Sequence, residues 1–202
     1  EFLELCSVPS ISETQSELKM AAKIYQILNR INYFQMHPEN LQICPMPGDK
    51  FQRSFVYAFM QGQIQSPKTI VLLSHFDVVG IEGSGLANQD KLEFDPVAYT
   101  KFLSDNPQIM LNEDARKDLA SGDYLFGCGT MDMKFGIAAD IEILKKAEKE
   151  LKNFSGNILF VSVPDEEKNS AGMLSAVNLL LSLKKERQLE YTCCLVSEPM
   201  FP

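Results

Sequence analysis

Four short segments of this chain carry side chains able to hold cations or move protons. They are Ser74-His75-Phe76-Asp77, the glycine-rich Gly127-Cys128-Gly129-Thr130-Met131-Asp132, Pro164-Asp165-Glu166-Glu167, and Ser197-Glu198-Pro199. Taken singly, each is ordinary: an acidic turn is usually solvated, Asp132 reads as a helix N-cap, and Ser-Glu-Pro says only that a strand has ended. Together they argue for a site, because three of them follow apolar runs (69–74, 158–163 and 191–196) with the length of buried strands. In an extended segment the i and i+2 side chains point the same way, so Asp77 can hold the His75 ring and fix its tautomer. Adjacent side chains diverge, so one of Glu166 and Glu167 can bind a cation while the other faces a substrate as general base. Carboxylates crowded on one apolar rim resist ionising unless a cation compensates them. A pair of divalent ions bridged by one carboxylate does so. Imidazole with several carboxylates suits zinc and also admits cobalt or manganese.

The elements that must position these residues follow from periodicity. Ser12 with Gln15 resembles a capping box, opening a helix to about Arg30 with an apolar stripe of Leu18, Ala21, Ala22, Tyr25 and Leu28. Residues 41–44 and 55–60 read as strands, and 64–68 as a turn. Residues 80–123, with Gly83, Gly85, Pro96 and Pro107, form the loosest segment, with short helices near 96–104 and 113–120. Residues 134–151 and 170–185 read as helices between the apolar strands. This β-α-β-α-β order predicts an α/β fold: three layers, α/β/α, around a mixed, largely parallel sheet with right-handed crossovers. Ligands of such sheets bind beyond the carboxyl ends of the strands, where the four segments would meet.

Bulk properties narrow the partners. The chain has 202 residues, 45% of them hydrophobic, enough for one core without disulfide staples. A net charge of −8 repels phosphate backbones, so no nucleic-acid partner is expected. No apolar run approaches the roughly 20 residues of a membrane helix, so no membrane partner is expected either. Residues 1–4 lack the basic start of a signal peptide and read as the middle of a helix, so the chain is expected to begin inside a longer protein. Five cysteines without CxxC spacing fit a reduced, cytoplasmic protein. Cys193 and Cys194 fall in an apolar strand, where burial is expected rather than a reactive thiolate. A nucleotide-binding reading of Gly127-Cys128-Gly129 fails because Asp132 stands where a third glycine belongs and would repel a pyrophosphate.

The four motifs, in this order, resemble the M20 metallopeptidase family. Residues 125–134, 163–173 and 197–201 are most similar to its RocB-type arginine utilisation proteins, and the opening Val8-Pro9-Ser10 fits as well. The resemblance implies that His75 and Glu198 bind one metal, Glu167 binds the second, and Asp132 bridges both. It makes Asp77 the residue that orients His75 from behind, and Glu166 the general base that takes a proton from the attacking water. The implied cofactors are two divalent ions, zinc foremost. The implied reaction is hydrolysis of an amide or peptide bond (peptidase, deacylase or aminoacylase type) in a small acylated amino acid or peptide, within amino-acid or arginine catabolism. Residues 1–202 would be the N-terminal part of the catalytic domain. The family's lid domain, a homodimer contact, and its last ligand histidine would lie beyond Pro202. His37, in a proline-rich loop, matches no motif and reads as a surface residue. Cys128 stands where the family pattern commonly has arginine, and a thiol supplies neither a guanidinium's charge nor its fork of donors. That departure motivates an alternative: a non-catalytic metal-binding or regulatory member.

Overall fold

The computed structural model describes residues 1–80, 92–110 and 112–200. Its helices are α1 (Phe2–Cys6), α2 (Ser16–Leu28), α3 (Asn32–Met36), α4 (Pro96–Asp105), α5 (Glu113–Ser121), α6 (Gly136–Lys149) and α7 (Ala171–Glu186). Its strands are β1 (Leu41–Pro45), β2 (Ser54–Gln61), β3 (Ile64–His75), β4 (Ser155–Val163) and β5 (Glu190–Val196). They form one sheet in the order β1-β2-β4-β3-β5. β3 runs parallel to both β4 and β5, while β2 is antiparallel to β1 and β4.

Both faces of the sheet are buried, and the period of two sorts the side chains between them. Val56, Ala58, Met60, Ile158 and Phe160 pack with Leu5, Met20, Ile24, Ile137 and Ile141 of α1, α2 and α6. Phe55, Tyr57, Phe59, Leu159, Val161 and Val163 pack with Ala176 and Leu183 of α7. The result is the expected three-layer α/β/α arrangement. Each fully buried aliphatic or aromatic side chain contributes about 1.5–3 kcal/mol, so both layers are strongly held. Register then sets the site: His75 pairs with Val163, and Leu73 with Val196, so the three parallel strands end level at one rim.

Several local expectations change. The Ser12–Gln15 capping box does not form: α2 starts at Ser16, Gln15 makes no side-chain cap bond, and it is Glu17 Oε2 that accepts the Thr14 N–H, at 3.3 Å. The Ser12 hydroxyl instead donates to Asp77 Oδ2 at 2.8 Å, a partner with no local sequence signal. Residues 64–68 belong to β3 rather than to a turn. The pairing shifts register between Ile64 and Thr69, and Pro67 sits within that irregularity, where a missing N–H is tolerated. A turn over Thr130–Phe135 delays α6 to Gly136. The short helices in the loose segment are present as α4 and α5; Gly83 and Gly85 lie outside the described residues. Cys193 and Cys194 are exposed rather than buried, because β5 pairs only with β3 among the described residues. His37 is exposed, as expected. Among the described residues no helix is long and apolar enough to cross a membrane.

Candidate metal centre

The level strand ends bring the sequence motifs together. His75 ends β3, Glu166 and Glu167 follow β4, Glu198 follows β5, and Asp132 sits in the turn ahead of α6. His75 Nε2 lies 2.9 Å from Asp132 Oδ1 and 3.1 Å from Glu198 Oε1. Donor atoms of these three residues lie within 4.8 Å of one another. Glu166 Oε2 is somewhat farther, 3.9 Å from His75 Nε2. Glu167 stands at the edge of this group, close enough to feel the charge of Asp132. The imidazole is 2% exposed, whereas the Asp132 and Glu166 side chains are 41% and 51% exposed, so the cluster opens outward over a dry floor.

Asp77 lies behind this cluster. Its carbonyl oxygen is 3.1 Å and its Oδ1 3.3 Å from His75 Nδ1, leaving Nε2 to face the carboxylates. The buried Asp77 carboxylate also accepts the backbone N–H groups of Glu166 and Glu167, at 2.9 and 3.1 Å, and the Ser12 hydroxyl. One carboxylate therefore fixes the imidazole and the acidic turn together. Below Glu198, the Ser197 hydroxyl donates to the buried Asp140 at 2.7 Å. Ser12 and Asp140 were missed from sequence, because each depends on a distant partner. Asp132 does not cap α6, whose N-cap position is Phe135.

The electrostatics demand positive charge at this rim. Burial works to lower the His75 pKa, but the hydrogen bond with Asp77 and the charges of Asp77, Glu198 and Asp132 win and hold it at about 9. Burial raises Glu198 and Glu167, and repulsion from neighbouring carboxylates adds to it. Asp77 goes the other way: burial would raise it, yet its hydrogen bonds from His75, Ser12 and the Glu166 amide hold it below the usual carboxylate range. One imidazole nitrogen and several carboxylate oxygens, converging on a partly desolvated point, fit a hard or borderline divalent cation. A cavity of about 240 Å³ adjoins the cluster, with Leu73, Val163, Met173 and Val196 forming its apolar wall.

Comparisons with known proteins agree with this geometry. The family model for Peptidase family M20/M25/M40 matches residues 110–202. Protein YqjN of Bacillus subtilis (strain 168) is 39% identical over 203 residues, covering 98% of this chain and 34% of that protein. Protein RocB of the same organism is 31% identical over 198 residues, again covering 98% and 34%. The chain thus spans about a third of the length of these curated relatives. Among solved structures, the di-peptidase Dug1p from Saccharomyces cerevisiae superposes with a TM-score of 0.63 at 14% identity, covering 99% of this chain and 38% of that one, which speaks to the fold. Residues 110–202 thus carry the M20 peptidase match, and the motif order, the sheet and the RocB likeness agree with it.

Proposed function

We propose that the protein carrying this chain is a metal-dependent hydrolase that cleaves an amide or peptide bond in a small acylated amino acid or peptide. The observation that carries this reading is the convergence of His75, Asp132 and Glu198 within 4.8 Å, backed by Asp77. His75, Asp132, Glu167 and Glu198 would hold two divalent cations, zinc first among them, with cobalt and manganese suited to the same donors. Such ions lower the pKa of water and polarise a scissile carbonyl. Asp77 keeps the imidazole turned so that Nε2 is offered to the site. Glu166, half exposed beside that nitrogen, takes the proton of the attacking water and returns it to the leaving amine. The apolar wall of Leu73, Val163, Met173 and Val196 would receive a non-polar portion of the substrate.

The RocB likeness supports a place in amino-acid or arginine breakdown, and five cysteines without CxxC spacing support a cytoplasmic one. A lid domain and the remainder of the catalytic domain, including a further histidine ligand, would lie in the part of the protein outside residues 1–202, with a homodimer contact in the lid. The test is elemental analysis of the intact protein after dialysis, paired with the Glu166→Gln variant. About two ions per chain are expected, with turnover of N-acyl amino acids or dipeptides lost by about 10²–10⁴-fold in the variant and its metal retained. Full activity of Glu166→Gln, or no metal after reloading, sinks the reading. A second reading, a non-catalytic member, is favoured by Cys128 alone. Burial pushes its thiol up to about 11, so no charge stands where the family pattern has arginine. Metal bound without turnover on any of these substrates would select it.

A further inference from the structure

The turn that carries Glu166 and Glu167 is gripped from beneath by buried charge. Three successive backbone N–H groups donate to carboxylates: Asp165 to Glu17 Oε1 at 3.0 Å, Glu166 to Asp77 Oδ1 at 2.9 Å, and Glu167 to Asp77 Oδ2 at 3.1 Å. Asp165 has φ +67°, a left-handed conformation that a non-glycine residue holds only when its surroundings impose it. The imposing group is Arg53, just before β2 and 3% exposed. Its Nη1 donates to Asp165 Oδ1 at 2.6 Å and lies 3.4 Å from Glu17 Oε2. Nη2 and Nε hold Asp49 at 2.7 and 3.1 Å. The other Asp165 oxygen accepts the Ala171 N–H at 3.1 Å, tying the turn to the start of α7.

Arg53, Glu17 and Asp165 are almost wholly buried, and none makes a hydrogen bond or ion pair to His75, Asp132 or Glu198. As a source of stability such a network is poor, since well-packed apolar groups often do as well or better. What it supplies is geometry, fixing one unusual backbone conformation directly before the paired glutamates. We propose that Arg53 is a positioning residue: through Asp165, and with Glu17 as a second buried partner, it sets the turn that aims Glu166 and Glu167 at the metal centre. Its consequence for metal binding rests on the functional reading above; its effect on the turn does not.

The test uses the intact protein with Arg53→Met, which keeps an apolar stem and removes the fork, and Arg53→Lys, which restores charge alone. Two readouts are needed: amide hydrogen exchange of the metal-free protein, and Co²⁺ titration followed by its visible spectrum. Expected for Arg53→Met is exchange about tenfold faster at residues 165–167 with β2 and β4 unchanged, and Co²⁺ affinity about tenfold weaker, as is usual for outer partners of metal ligands. Arg53→Lys recovers part of both. Should the Met variant not fold, Asp165→Asn carries the same expectation, because it loosens the Arg53 link while leaving the guanidinium with Asp49 and Glu17. Unchanged exchange at 165–167, or equal acceleration across the whole sheet, overturns the proposal. Faster exchange confined to the turn in a protein that takes up no Co²⁺ supports the positioning role and defeats the metal reading instead.

Discussion

Asp140 shows how a single residue beneath the site stores a pH dependence. It is fully buried on α6; Ser197 donates to Oδ1, and Oδ2 has no partner among the described residues. Burial raises its pKa from 3.8 to about 6, only partly opposed by the Ser197 bond. Between those values the folded state holds a proton that the unfolded chain has lost. Ionised Asp140 therefore costs stability in full above about pH 6, and that cost disappears below about pH 4. In the metal-free protein, Asp140→Asn is expected to be more stable than wild type at pH 8, by about 1–3 kcal/mol at roughly 1.4 kcal/mol per pK unit. The two should coincide near pH 4 in urea unfolding; an equal difference at both pH values would show that ionisation is not the cause. At this scale the sequence revealed part of the site. His75, Asp132 and Glu198, which the structure brings within 4.8 Å, were legible because each stands at a strand end or in the turn ahead of a helix. Ser12, Arg53 and Asp140 were not. Ser12 meets Asp77 across 65 positions, Arg53 meets Asp165 across 112, and Ser197 meets Asp140 across 57, and no local pattern encodes such pairings.

Elements deliver these residues to the rim through two close approaches. A Cβ at Gly136, the first residue of α6, would drive into the Ser197 carbonyl oxygen, and one at Gly172, in the first turn of α7, into the Pro164 carbonyl oxygen. Each helix start thus seats directly on a strand-end segment that carries acids. Both obstacles are backbone, so neither can swing aside. Gly136→Ala is expected to destabilise by about 1–3 kcal/mol, the usual cost of overpacking. It should also weaken Co²⁺ binding by displacing Glu198, while Ala139→Gly on the exposed face of α6 should leave metal binding alone. An alanine variant at 136 with wild-type melting and affinity would show that the helix start has room to move. Helices and strands were legible where periodicity was long: α6, α7, β2 and β4 fall within a few residues of their expected spans. Short polar stretches misled, as at residues 64–68. Their composition describes a turn, but pairing with β4 draws them into β3 around a bulge. The burial expected of Cys193 and Cys194 failed for a related reason: apolar composition reports what a strand can bury, not which neighbours cover it.

At the scale of the whole molecule, the acidic rim and the open edge of the sheet each make a claim on stability. Five carboxylates around one imidazole are mutually repulsive, so a divalent cation that binds only the folded state should stabilise it, by about 2.7 kcal/mol at one hundred times Kd. Added Zn²⁺ is expected to raise Tm in the wild type and to do little in His75→Ala; an equal rise in both would place the cation elsewhere. The edge claim concerns β5, which has β3 on one side and no strand on the other among the described residues. Leu195 and Val196 of β5 are 49% and 53% exposed, and Leu174 and Leu181 of α7 are 70% and 61% exposed. Exposed apolar side chains therefore flank the free backbone edge of β5, the combination that templates pairing with another chain. In relatives of which this chain spans about a third, there is ample polypeptide to cover such an edge. For residues 1–202 on their own, a second copy is the available partner. Light scattering across a concentration series is therefore expected to show association of the 1–202 chain. Leu195→Lys, which places a charge on the edge strand, should shift it toward monomer without changing the circular dichroism spectrum. A wild-type chain that stays monomeric at every concentration would mean that the twist and charge of the edge already suffice to keep other strands away.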